Sequence, residues 1–353
     1  MGKWEKNVRT VVPYVPGEQP KRRDIIKLNT NENPYPPSPK VTEALAQMNI
    51  DGLRKYPDPA AERLVSAIAS LHGLPNEQVF VGVGSDDVLA MAFLTFFNGD
   101  KPILFPDITY SFYDVWADVF RIPYECQPLD ASFQIVKEDY DKENGGVVFP
   151  NPNAPTGALL PLDAVEDIIA HNQDVVVIVD EAYIDFGGIT AAGLIDKYEN
   201  LLVVRTFSKS RSLAGMRIGY ALGSRKLIKY LSDVKYSFNS YTMNEAALVL
   251  GEAAALDRAY FEETRARIIA TRERAKKEFA ALGFSFADSQ ANFLFVTHES
   301  RPAAELFAAL KEAGIYVRYF KKPRIDNYLR ITIGTDEEME ELYRFLREYL
   351  LQI

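Results

Sequence analysis

Between about Gln78 and Gly223 short apolar or β-branched runs alternate with stretches of helical patterning. The runs fall at residues 79–83, 102–105, 147–149, 175–179, 201–204 and 218–222, and most are apolar without interruption. A run with no alternation of apolar and polar positions suits a strand covered on both faces. Interleaved with helices, such strands predict a parallel or mostly parallel sheet in an α/β unit. Sheets of this kind bind ligands at the carboxyl ends of their strands. Chemistry is therefore expected at Gly84, Asn153, Asp180 and Ser208, each just after a strand.

The pattern changes downstream. A long charged helical stretch runs from about 260 to 282, followed by an apolar run at 293–296, a helix around 303–313, runs at 315–318 and 329–333, and a last helix over 336–350. This predicts a smaller α+β unit. Pro13, Pro16 and Pro20, with Asn33-Pro34-Tyr35-Pro36-Pro37, rule out helix near the amino terminus and predict an extended arm. The expected division is an arm over 1–29, a large unit over 30–256 and a small unit over 257–353. No internal repeat is evident.

Composition narrows the class. In 353 residues, 47% are hydrophobic and 25% charged, enough to bury a large core, which excludes disorder, collagen and coiled coil. The formal charge of −9, with no basic block, argues against a grip on nucleic acid phosphates, so any bound anion needs a local site. Apolar runs end within a few residues, far short of the roughly 20 that span a bilayer, and Lys6 stands where a myristoylation signal has Ser or Thr, so no membrane partner is expected. One cysteine, Cys126, and a charged opening segment make the cytoplasm the expected compartment. His72, His171 and His298 lie far apart, and no metal site is expected.

Several segments carry candidate chemistry. Gly82-Val83-Gly84-Ser85-Asp86 follows a strand and opens a helix, which suits either phosphate binding on free N–H groups or a plain helix cap. Asn151-Pro152-Asn153-Ala154-Pro155-Thr156-Gly157 is turn chemistry at a strand end. In Asp180-Glu181-Ala182-Tyr183 a buried strand runs into two acids, and a carboxylate there needs a cation, a donor or a capping role. Lys209 follows another strand among hydroxyls, with Arg217 eight positions on. A lysine is ordinarily protonated at pH 7, so a nucleophilic role requires surroundings that favour the neutral amine, whereas arginine keeps its charge and suits phosphate. Arg318 and Arg330 each interrupt an apolar strand and call for an anion, structural or substrate.

Taken together, these segments resemble the fold-type-I aminotransferases that use pyridoxal 5′-phosphate, and within them the histidinol-phosphate aminotransferase family. The likeness runs through Leu28 to Pro34, Lys55-Tyr56-Pro57-Asp58, Gly82 to Asp86, Asn151 to Gly157, Asp180 to Tyr183, Ser208-Lys209 to Arg217 and Tyr328 to Gly334. The resemblance implies that Lys209 condenses with the cofactor aldehyde and shuttles the substrate proton, and that Asp180 pairs with the pyridine nitrogen. It implies that Tyr183 and Asn153 bond the 3′-oxygen and that Tyr110 stacks on the ring. The phosphate would be held by the Ser85 and Asp86 N–H groups beside Gly84, by Thr206, Ser208 and Arg217, and by Tyr56 of a second subunit, which makes the enzyme a homodimer with shared active sites. Ala154 departs from the Asn that many relatives carry there. Arg318 and Arg330 would bind the substrate phosphate, Arg330 also the carboxylate of glutamate, with Tyr14 and Asn31 closing over the substrate. The implied reaction exchanges an amino group between L-histidinol phosphate and 2-oxoglutarate, a step of histidine biosynthesis. Rival readings are an aromatic amino acid aminotransferase, a phospho-amino-acid decarboxylase and a non-catalytic cofactor-sensing domain.

Overall fold

The computed structural model describes residues 2–21 and 24–351. Strand β1 (Ile26–Lys27) and helices α1 (Pro39–Gln47) and α2 (Glu62–His72) lead into an alternating run. It comprises β2 (Val79–Gly82), α3 (Ser85–Phe96), β3 (Ile103–Pro106), α4 (Tyr113–Phe120), β4 (Tyr124–Gln127), β5 (Gly146–Pro150), α5 (Leu162–His171), β6 (Val177–Asp180), β7 (Leu201–Thr206) and β8 (Gly219–Gly223). There follow α6 (Arg225–Phe238), α7 (Glu245–Leu256), α8 (Arg258–Ala281), β9 (Phe284–Phe286), β10 (Phe293–His298), α9 (Ala303–Glu312), β11 (Ile315–Tyr316), β12 (Arg318–Tyr319), β13 (Leu329–Thr332) and α10 (Asp336–Leu350).

Seven strands form one sheet in the order β2-β8-β7-β6-β5-β3-β4, with β8 antiparallel to both neighbours and the other pairs parallel. The expected fold class holds. β8 reverses because β7 returns to it through a loop with no crossover helix, pairing Thr206 with Gly219. Apolar clusters cover both faces: Val147, Phe149, Val177 and Val179 meet α2, α5 and α7, while Val148, Ile178, Leu202 and Val204 meet α3, α4 and α6. This accounts for the unbroken apolar strands. The edge strand β4 has no such run, since Tyr124, Glu125 and Cys126 are exposed, and patterning did not reveal it.

A second sheet, β12-β13-β10-β9, packs on α8, α9 and α10 around Phe279, Phe293, Leu306 and Tyr343. The expected single strand at 315–318 is two: Ile315 pairs with Ile26 in β1, and beyond Val317 the chain turns so that Arg318 pairs with Arg330. The amino-terminal arm is not extended throughout, because Lys3–Asn7 forms a 3-10 turn, though Ile26–Lys27 is a strand; Arg22 and Arg23 lie outside the described residues. Both long helices of this region are capped by side chains. Asp257 starts α8, and Thr335 with Glu338 makes a reciprocal capping box on α10, worth about 1 kcal/mol.

Candidate active site

The strands of the large sheet end around a cavity of about 170 Å³, whose walls include Thr30, Ser85, Asp86, Tyr110, Asp180, Tyr183, Thr206, Ser208, Lys209 and Arg217. Its position at the carboxyl ends of β5, β6 and β7 follows from the topology.

One end of the cavity is built for an anion. Gly84 caps α3 at φ +86°, leaving the Ser85 and Asp86 N–H groups without intrahelical acceptors and the positive helix end turned to the cavity. A Cβ on Gly84 would stand 2.5 Å from Arg217 Nη2, and one on Gly219 2.3 Å from Ser85 N, so both glycines let backbone and guanidinium close up. Arg217 itself has φ +54°, a left-handed conformation disfavoured by about 1–2 kcal/mol that aims its side chain across the turn. Its Nη2 donates to Asp86 Oδ2 at 3.0 Å, and Tyr110 Oη donates to Asp86 Oδ1 at 2.6 Å. Thr206 Oγ1 donates to Ser208 Oγ at 3.0 Å and accepts from Ser208 N at 3.1 Å, which sets two hydroxyls beside the guanidinium.

At the other end stand the acid and the lysine. Asp180 is buried, and burial pushes its carboxyl up to about 6 despite donors from Tyr113 Oη at 3.0 Å and Ala182 N at 3.2 Å. Its neighbour Glu181 points away, as successive residues leaving a strand do, and accepts from Thr190 Oγ1 at 2.5 Å and Ala191 N at 2.6 Å. Lys209 Nζ lies 5.6 Å from the centre of the Tyr183 ring and donates to the Thr30 carbonyl at 3.3 Å. Two contacts hold the loop that bears it. Asn33 Nδ2 donates to Lys209 O at 2.9 Å, and Ser210 Oγ donates to Asp185, which also pairs with Arg205. Burial works against the Asp185 anion, but Arg205 and Ser210 outweigh it and hold its carboxyl below the usual range.

Above the cavity two arginines face each other. Arg318 and Arg330 are register partners across β12 and β13, and both guanidinium groups approach the Phe320 ring, at 5.5 and 5.6 Å. Arg330 Nη2 donates to Asn29 O at 3.0 Å, its Nε is buried without a partner, and Arg318 reaches only the Val15 carbonyl at 3.4 Å. Among the described residues neither guanidinium has a carboxylate partner. Burial, reinforced by Arg318, lowers the proton affinity of Arg330. Tyr14 reaches this region from the arm and stacks on Phe112 with ring centres 4.1 Å apart.

Three expected residues sit elsewhere. Asn153 does not line the cavity; its Nδ2 protons are spent on Ile108 O at 3.0 Å and Thr156 Oγ1 at 2.9 Å, which leaves it no donor for a ligand. The Ala154 methyl is in the wall instead. Asn31 is 1% exposed and donates to Tyr183 Oη at 2.9 Å rather than facing the opening. Tyr56 is 82% exposed, against Tyr241 at 4.7 Å and outside the cavity wall. Patterning also missed Tyr113, the donor to Asp180, and the Asp185–Ser210 tie. The signals available were Tyr113 three positions after Tyr110, and an acid two positions after Tyr183.

Residues 23–346 match the family model described as aminotransferase class I and II. The chain is 54% identical over 349 residues to histidinol-phosphate aminotransferase 2 of Dechloromonas aromatica, covering 98% of each chain. It is 55% identical over 345 residues to histidinol-phosphate aminotransferase 1 of Methylococcus capsulatus, covering 98% of this chain and 97% of the relative. In fold it is similar to the histidinol-phosphate aminotransferase of Clostridium acetobutylicum, with TM-score 0.86, 22% identity and coverage of 93% and 100%. It is likewise similar to that of Sinorhizobium meliloti in complex with pyridoxal-5′-phosphate, with TM-score 0.84, 23% identity and coverage of 93% and 92%. The chain belongs to the class I and II aminotransferase family.

Proposed function

We propose that this chain transfers an amino group between L-histidinol phosphate and 2-oxoglutarate, with pyridoxal 5′-phosphate as cofactor. The donor set of the cavity fits that group. An anion cradle of two backbone N–H groups, two hydroxyls and Arg217 stands at one end, and a buried acid, Asp180, that forms no ion pair among the described residues stands at the other with Lys209. When bound, pyridoxal phosphate supplies an aldehyde that carries the amino group and a ring that accepts the electron pair left at the substrate Cα.

The chain's own residues do the rest. Asp180 ionises against a protonated ring nitrogen, and Tyr113 holds its carboxylate in place. Tyr183 offers its phenol proton to the ring oxygen, and Tyr110, tied to Asp86, covers a ring face. Lys209 Nζ would hold the cofactor through its aldehyde, with loss of water, and once displaced there by the substrate amine the freed Nζ would carry the proton from the substrate Cα to the former aldehyde carbon.

The observation that carries the substrate is the opposed pair Arg318 and Arg330. Like charges directly across a strand pair repel, and this half-buried pair, with Arg330 Nε buried and unpartnered, is relieved when an anion joins it. A phosphate monoester satisfies two guanidinium groups where a single carboxylate satisfies one. Arg330, tied to Asn29, also serves the glutamate carboxylate, and Tyr14 closes over the bound substrate.

The working unit in this proposal is a homodimer. Ile50, Leu53, Tyr56, Tyr241 and Leu256 are exposed, and a second copy seated there would bring Tyr56 to the neighbouring phosphate cradle. The division proposed here is an arm over 1–29, a large unit over 30–256 whose residues line the cavity, and a small unit over 257–353. With a single cysteine, and no helix among the described residues long and apolar enough to cross a membrane, we place the enzyme in the cytoplasm.

The deciding experiment is kcat/KM for histidinol phosphate against phenylalanine and tyrosine, with 2-oxoglutarate as acceptor. A preference for histidinol phosphate of at least a hundredfold is expected. Parity or reversal would overturn the substrate.

A further inference from the structure

Among the described residues the Tyr183 hydroxyl has one side-chain hydrogen-bond partner, and that partner is held too firmly to be a substrate contact. Asn31 Nδ2 donates to Tyr183 Oη at 2.9 Å. Its own N–H donates to Thr332 Oγ1 at 3.0 Å, its Oδ1 accepts from the same hydroxyl at 3.1 Å, and its carbonyl accepts from Asn292 Nδ2 at 3.1 Å. Asn31 adopts φ +57°, a left-handed conformation that Asn tolerates better than most residues. The two residues before it hold side chains of the site: Asn29 O accepts from Arg330, and Thr30 O accepts from Lys209. Among the described residues no other side-chain amide bonds the phenol: Ala154 ends in a methyl and Asn153 Nδ2 is committed to Ile108 and Thr156.

We propose that Asn31 is a positioning residue that acts through Tyr183. A phenol oxygen that accepts from an amide must send its own proton elsewhere, and here the open direction is the cavity, where the cofactor's 3′-oxygen would receive it. This deepens the pyridoxal phosphate reading and rests on it. The consequence has a definite sign. A donor to the 3′-oxygen draws negative charge away from the nitrogen contributed by Lys209 and weakens that nitrogen's hold on a proton. Loss of Asn31 therefore raises the pH at which the bound cofactor changes colour, as loss of Tyr183 does, but by less.

The test is a double-mutant cycle read by spectrophotometric pH titration of the cofactor-loaded protein, using Asn31→Gly, Tyr183→Phe and both together. Glycine accepts the positive φ, and the uncharged Asn31→Ser, which also lacks the amide, is titrated in the same way should the glycine variant fail to fold. In the wild-type background the Asn31 substitution is expected to raise the midpoint by about half to one pH unit, and in the Tyr183→Phe background by much less. An equal shift in both backgrounds, or none in the wild type, overturns the role given to Asn31 while leaving the cofactor reading intact. A wild-type chain that takes up no pyridoxal phosphate overturns the cofactor reading itself.

Discussion

Tyr113 donates its phenol proton to Asp180 Oδ2 at 3.0 Å, at the end of a strand where no cation stands within ion-pair range of that carboxylate among the described residues. Burial accordingly pushes Asp180 up to about 6. The folded-state value lies above the unfolded one, so protonation favours the fold. That contribution is complete below about pH 4 and is lost as pH rises through about 6. Glu181, pushed up to about 7 by burial, acts in the same direction, and His72, lowered to about 4 by burial, in the opposite one. Asp180→Asn isolates the single group. Without cofactor, the wild type is expected to lose on the order of 2–3 kcal/mol relative to this variant between pH 4 and 7, measured by urea unfolding. Adding pyridoxal phosphate should remove most of that loss, because the ring cation ionises Asp180 at little cost. A difference that does not change with pH would show that Asp180 titrates normally.

Gly84 and Arg217 test the anion cradle. In Gly84→Ala the new methyl would meet the guanidinium at 2.5 Å and sit on a backbone at φ +86°. The fold should lose about 1–2 kcal/mol and the cofactor dissociation constant should rise at least tenfold, seen by equilibrium dialysis. A dissociation constant within twofold of wild type would place the phosphate elsewhere.

The two facing arginines should separate by substrate. Arg318→Ala is expected to lower kcat/KM for histidinol phosphate about a hundredfold and for glutamate less than tenfold, whereas Arg330→Ala should damage both half-reactions. Single-turnover measurement of each half-reaction distinguishes these outcomes. Equal losses for both substrates in Arg318→Ala would remove the phosphate from that site.

Tyr56 bears on the shared active site. Neither Lys209→Ala nor Tyr56→Phe alone forms a wild-type site, but a mixed dimer would pair an intact Lys209 with an intact Tyr56 across the interface. Mixing the two variants, with exchange verified by native mass spectrometry, should restore a population of sites with wild-type cofactor affinity. Absence of any such population in exchanged dimers would mean that Tyr56 does not act across subunits.

The large sheet was readable because each buried strand is an unbroken apolar run, and the site because its polar residues follow those runs directly. β4 escaped because an exposed edge strand carries no such run. The kink at Val317 escaped because patterning records that 315–318 is apolar but not that Ile315 and Arg318 pair with different strands. At the site, residue type and position singled out Asp180, Lys209 and Arg217, the family resemblance added Tyr183, and the four line one cavity. What sequence could not supply was the direction of each side chain. Asn153 turns into its own loop, Asn31 is clamped by Thr332 and Asn292, and Tyr113 reaches Asp180 from a helix 67 positions away, three contacts set by tertiary packing rather than local pattern.

Covalent attachment to Lys209 is the centre of the account, and it can be read directly. Pyridoxal phosphate is added to the purified protein, the linkage is trapped with borohydride, and the modified peptide is identified by mass spectrometry. The account requires near-stoichiometric labelling of Lys209, with none in Lys209→Ala; labelling spread over surface lysines, or unchanged in that variant, would contradict it.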